Sequence, residues 1–103
     1  PTLSRRSLEM ILEIDGRAIH SLSDFHDRIV ECPGVPDFYG RNFYAFRDVL
    51  TGFIERPFKI VWRNAGLSRS LLGKDFDGLV LMMKQAVEET LSSGRKFEFE
   101  IIE

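Results

Sequence analysis

Cysteine is scarce: Cys32 is the one such residue among 103. A single thiol excludes an internal disulfide and a cysteine-built zinc site, and it suits a reducing compartment. No apolar run approaches the ~18 residues that a membrane-spanning helix needs. No charged-then-apolar leader opens the chain, so a cytoplasmic protein without membrane contact is expected. Basic charge is not in excess either. Fourteen lysines and arginines face sixteen acids, a net charge of −2. That balance lacks the positive field of non-specific nucleic-acid binding, so no direct binding of nucleic acid is expected. Glycine-rich phosphate loops, a GxSxG elbow and an HExxH helix are all missing. His20 and His26 with Asp24 come nearest to an acid–base group. His20 precedes a helix, however, and His26 sits on it beside Phe25, so structural or capping roles are expected. Cys32 reads as a small buried hydrophobe. The sequence therefore predicts no catalytic residue, no metal and no cofactor.

What is present is enough for one core. A chain of this length, 44% hydrophobic, supports a single domain without disulfides. Residues 1–7 read as a loose polar arm and 8–103 as the domain, expected to be a monomer. Leu8 to Ile14 alternates as a strand, with Met10, Leu12 and Ile14 on one face, and Asp15-Gly16 turns the chain. Ser23 is the expected N-cap of a helix carrying Phe25, Ile29 and Cys32, stopped by Pro33-Gly34. Asn42 caps a second helix, for which Gly52 is the expected left-handed stop. Phe43, Phe46 and Leu50 form its apolar stripe, while Tyr44, Arg47, Asp48 and Thr51 share a more polar side. Phe58 to Arg63 alternates as a second strand. Residues 64–74 are ambiguous, and Leu67, Leu71 and Leu72 allow a short helix there. A long helix from Asp75 would bury Phe76, Leu79, Val80, Met83, Val87 and Leu91, leaving Glu88 and Glu89 outside and ending at Gly94. Lys96 to Glu103 alternates as the last strand.

Strands separated by helices imply parallel pairing through right-handed crossovers. Parallel strands covered on both faces read as continuous apolar runs, yet all three here alternate. The expected fold is thus a small α/β domain, a three-stranded parallel sheet with helices mainly on one face.

The positive functional signal is a surface. Asp37-Phe38-Tyr39-Gly40 leads into a helix showing Tyr44, Asp48 and Thr51, and tyrosine and aspartate can anchor a protein contact. The same pattern also suits an ordinary solvated helix face. The aromatic set of Phe38, Tyr39, Phe43, Tyr44, Phe46 and Phe53, with no basic groove around it, reads as core plus interface.

The run Pro36–Phe53, with its Tyr-Gly-x-Asn and Asp-x-Leu-Thr-Gly segments, resembles the signature of the barstar family, intracellular inhibitors of small secreted ribonucleases. Pro57 and Val61-Trp62-Arg63 fit too, as do Ile14-Asp15-Gly16 and Ser21 to His26 upstream. The resemblance runs from Leu8 through nearly the whole chain and is most specific from Asp15 to Arg63. It implies a bacterial immunity protein whose second helix, preceding loop and one acid on the last helix fill a ribonuclease site. Carboxylates would there take the places of substrate phosphates. By motif position the resemblance gives a contact surface of Phe38, Asn42, Phe43, Asp48, Thr51, Gly52, Phe53 and Glu89, with Asp48 the central anchor. Tyr44 and Arg47 belong to the same face and depart from the pattern, which has an acid and a tryptophan there. Arg41 and Ser93 stand at two further acidic positions. The patch of Asp37, Asp48, Glu55, Glu88 and Glu89 is therefore diluted by Arg41, Arg47 and Arg56. Arg47 is expected to occupy the Asp48 carboxylate when no partner is bound. A non-inhibitory interaction module, using this face for another protein, is the alternative function.

Overall fold

The computed structural model describes residues 10–54, 57–92 and 96–103. The expected arm, Leu8, Glu55, Arg56, Ser93 and the stop at Gly94 lie outside the described residues. Three strands, β1 (Met10–Asp15), β2 (Phe58–Arg63) and β3 (Phe97–Ile101), form one sheet in the order β1-β2-β3. Both pairings are parallel, with Leu12 beside Ile60 and Ile60 beside Phe99. Helices α1 (Leu22–Val30), α2 (Phe43–Asp48), α3 (Ala65–Leu72) and α4 (Lys74–Leu91) make the second layer.

Alternation decides which face of the sheet they cover. Leu12, Ile14, Phe58, Ile60, Trp62 and Phe97 all point into the helical layer and are buried. Trp62 is the hub. Its ring stacks on Phe25 at 5.2 Å, meets Phe76 edge-on at 5.1 Å, and donates from Nε1 to Ser68 Oγ at 3.1 Å. The opposite face is wet, tied across strands by Lys59–Glu100 and Arg63–Glu13 ion pairs, both 3.4 Å. Val61 is the exception there. It lies in register between Glu13 and Glu100 and is buried. The expected one-sided α/β sheet is the observed fold.

Several local expectations need correction. Ser21, not Ser23, caps α1, its Oγ accepting from Asp24 N–H at 3.2 Å, and α1 ends before Cys32. Asp15-Gly16 opens a short 3-10 turn (Gly16–Ala18) in which a Cβ on Gly16 would lie 2.1 Å from the Asn64 carbonyl oxygen. The short helix allowed over 64–74 is present, and it buries Ala65, Ser68 and Leu72 while Leu67 and Leu71 are exposed. The long helix buries Met82, Ala86 and Thr90 beside Phe76, Leu79 and Met83, and Leu91 points outward. Large apolar residues suggested these stripes, but small residues occupy the closest approaches and displaced the periodicity.

Candidate functional site

The loop before α2 is held from beneath. Tyr39 is buried, and its hydroxyl lies 2.6 Å from His26 Nδ1 on α1. Arg41, at φ 56°, reaches back to α1 and pairs with Asp27 Oδ1 at 2.8 Å. Its charge is thus locally answered. Asn42 then caps α2 as expected, Oδ1 accepting from Ala45 N–H at 2.8 Å. With Tyr39 anchored inward, its neighbour Phe38 is forced outward and is 76% exposed.

One face of α2 and of the turn that continues it is core: Phe46 and Leu50 are fully buried, and Phe43 is half-buried against Gly78 of α4. A Cβ on Gly78 would come within 2.7 Å of the Phe43 ring, so this glycine lets the two helices close. The other face carries exposed Tyr44 and Asp48. After Asp48 the backbone widens into a π-helical turn (Val49–Phe53), with Ile54 N–H donating to the Val49 carbonyl at 3.1 Å. Gly52 therefore lies within this turn and not at a left-handed stop, correcting the sequence expectation. A Cβ on it would meet no other described part of the chain within 4 Å beyond its own neighbours and turn backbone. Thr51 donates from Oγ1 to the Arg47 carbonyl at 3.0 Å.

The turn brings Phe53 edge-on to Phe38, ring centroids 5.8 Å apart. Between them lies a shallow cavity of about 130 Å3, with Asp48 on its rim. Asp48 has no ion pair among the described residues. The expectation that Arg47 would cover it is therefore wrong. The Arg47 guanidinium turns to α4, donating from Nη1 to Gln85 Oε1 at 2.9 Å and standing 3.7 Å from Glu89 Oε1. The fold thus brings Phe38, Asp48 and Phe53 around one depression. Asn42, Tyr44 and Thr51 lie along the same helix and turn, and Glu89 is tied in beside them through Arg47. Sequence reasoning missed Tyr39 and His26 as the loop's support, because a contact across thirteen positions leaves no periodic trace.

Burial lowers the His26 pKa from its ordinary 6.5, with the Arg41 charge adding to that and Asp27 opposing it. His26 Nε2 has no hydrogen-bond partner among the described residues, so a proton added there would be buried unpaired. The unfolded chain takes up this proton first, so stability should fall as pH drops below 6.5 and continue falling to the depressed native value. Urea midpoints measured from pH 7.5 to 5 should show this slope, and His26→Phe should flatten it. An equal slope in the variant would remove His26 as its source.

The described residues hold no group of His, Cys, Asp or Glu able to bind a metal, and no described helix is long and apolar enough to cross a membrane. Comparison with known proteins supplies what geometry alone does not. The family model described as Barstar (barnase inhibitor) matches residues 9–102. The chain is also 36% identical over 89 residues to "Putative ribonuclease inhibitor YrdF" of Bacillus subtilis (strain 168), covering 86% of this chain and 92% of that protein. With the one-sided parallel sheet and the capped helix behind its aromatic loop, these matches establish that the chain belongs to the barstar family.

Proposed function

We propose that this protein inhibits a ribonuclease by seating the face formed by the 36–41 loop, α2 and Glu89 in the enzyme's active site. The observation that carries the reading is Asp48: an exposed carboxylate without an ion pair among the described residues, on a helix whose far side packs into the core, beside two exposed aromatic rings. A ribonuclease must gather cationic donors to bind a phosphodiester. A carboxylate held there accepts the same charge-assisted hydrogen bonds and has no bond to be cleaved. Phe38, Tyr44 and Phe53 supply anchoring area at little rotamer cost, and the Tyr39–His26 support pre-organises the loop. Inhibition is then occupancy, with no covalent step.

Specificity follows from the departures at two positions. Tyr44 contributes no charge and Arg47 answers Glu89, so of the patch only Asp37, Asp48 and Glu88 are exposed acids without an ion pair among the described residues. Steering toward a strongly basic enzyme should be weak. Barnase itself should therefore be inhibited poorly at low ionic strength, and Tyr44→Asp with Arg47→Trp should improve inhibition. Tight inhibition by the unchanged protein, or no gain from a folded double variant, would refute this account of specificity.

The broader reading is tested by affinity capture from the producing organism on immobilised wild-type and Asp48→Ala protein, with mass spectrometry and an RNA-hydrolysis assay of what binds. A ribonuclease retained by the wild type alone is the expected result. A partner with no nuclease activity, captured in an Asp48-dependent way, would replace inhibition with a non-inhibitory interaction module.

A further inference from the structure

The two edges of the sheet are treated differently. On β1, Met10 N–H bonds to the Pro57 carbonyl, so the even-numbered residues of β1 face β2 and Ile11 and Glu13 face outward. That edge is blocked: Arg28 donates from Nε and Nη2 to the Glu13 carbonyl at 3.2 and 3.0 Å. On β3, the Lys96 carbonyl accepts from Phe58 N–H, and Ile102 N–H donates to the Trp62 carbonyl. By the same parity Phe97, Phe99 and Ile101 direct their backbone groups away from the sheet. Phe97 N–H is taken by Thr90 Oγ1 at 2.9 Å. No side chain or loop among the described residues covers the outward groups of Phe99 and Ile101 in the way Arg28 covers Glu13.

This open edge has a floor and a wall beside it. Phe99 and Ile101 are half-buried, and α4 overhangs them with Val80, exposed Leu81 and the stem of Lys84. They enclose a groove of about 620 Å3 that reaches Phe76, where the Arg69 guanidinium lies 4.9 Å from the ring centre. Across the pleat, Glu98 and Glu100 are exposed on the wet face. Glu100 meets Lys59, and Glu98 has no ion pair among the described residues. The edge thus offers backbone hydrogen bonds, apolar contact on one side and negative charge on the other.

We propose that β3 is a strand-addition site for an extended segment of a partner protein that alternates apolar and basic residues. Apolar side chains would enter the groove under α4, and lysines or arginines would meet Glu98 and Glu100. Charge selects against a second copy of this chain: symmetric antiparallel pairing about Phe99 would set Glu98 opposite Glu100 of the other copy. None of the groove residues belongs to the proposed inhibitory face, so the site stands or falls independently of it.

The test uses the full chain, isotope-labelled for NMR, and the synthetic peptide acetyl-Lys-Val-Lys-Val-Lys-Val-Lys-amide. Saturable binding should slow hydrogen exchange of the Phe99 and Ile101 amides at least tenfold and leave the amides of α2 unmoved. The same peptide N-methylated on every residue keeps its charge and loses all backbone donors, so it should not bind. Replacing lysine by glutamate in the peptide should abolish binding, and Glu98→Lys with Glu100→Lys in the protein should weaken the basic peptide at least fivefold. Protection elsewhere, equal binding of the acidic or N-methylated peptide, or concentration-dependent protection without peptide would overturn the proposal, the last by pointing to self-association.

Discussion

Asp48→Ala should weaken inhibition of the cognate ribonuclease by at least about thirtyfold, the ~2 kcal/mol that marks an interface hot spot. The argument is local. Asp48 is exposed, answers no cation within the described residues, and borders a depression shaped by Phe38 and Phe53. Its loss removes a charged acceptor that a cationic site would otherwise enclose, and it leaves the enzyme's donors desolvated and unpaired. Folding should scarcely notice. An exposed side chain away from core and caps typically changes stability by less than about 0.5 kcal/mol. Inhibition titrations alongside urea unfolding separate the two effects: a large loss of inhibition at constant stability is expected. Unchanged inhibition would strip Asp48 of its role. Asp48→Asn, which keeps the shape, should lose nearly as much, because the charge carries the contact.

Trp62→Ala should do the opposite, destabilising the fold by ~3–5 kcal/mol. The indole is fully buried on the central strand, between Phe25 of α1 and Phe76 of α4, and Ser68 of α3 accepts its N–H. Three helices therefore lose their common contact at once. Against a total stability of ~5–15 kcal/mol, such a loss could leave a substantial unfolded population. Because this is the sole tryptophan, the check is urea unfolding followed by circular dichroism. Trp62→Phe should recover most of the packing while forfeiting the hydrogen bond to Ser68. A cost for Trp62→Ala below about 1 kcal/mol would mean that the core can close over the gap, contrary to its density.

The strands were legible in the sequence because their period of two survives from Met10 to Ile14, Phe97 to Ile101 and, apart from Val61, Phe58 to Arg63. Alternation also disclosed the wet face, since Glu13, Lys59, Arg63, Glu98 and Glu100 could not lie under helices. Helix stripes were less readable. Ala65, Ser68, Ala86 and Thr90 are buried where backbones approach closely, a geometry that hydropathy ignores. Asn42 was readable as a cap because its chemistry is local, whereas Gly52 was misplaced because a π-helical turn has no sequence period of its own. At the site, the barstar-like motif identified Phe38, Asp48 and Phe53, which the fold gathers around one cavity. The direction of Arg47 was invisible for a different reason. Sequence neighbours suggested Asp48, but on a helix adjacent residues diverge by about 100°, and Gln85 and Glu89 of α4 lie on the Arg47 side.

Steady-state inhibition kinetics of the captured ribonuclease on an RNA substrate test the central claim most directly. Occupancy of the active site by the α2 face predicts competitive inhibition. The apparent KM should rise with inhibitor concentration while kcat stays constant, at one inhibitor bound per enzyme, and a substrate-analogue nucleotide should displace the inhibitor. A fall in kcat at unchanged KM, or undiminished inhibition when the nucleotide already fills the site, would show that the protein binds elsewhere and would contradict the account.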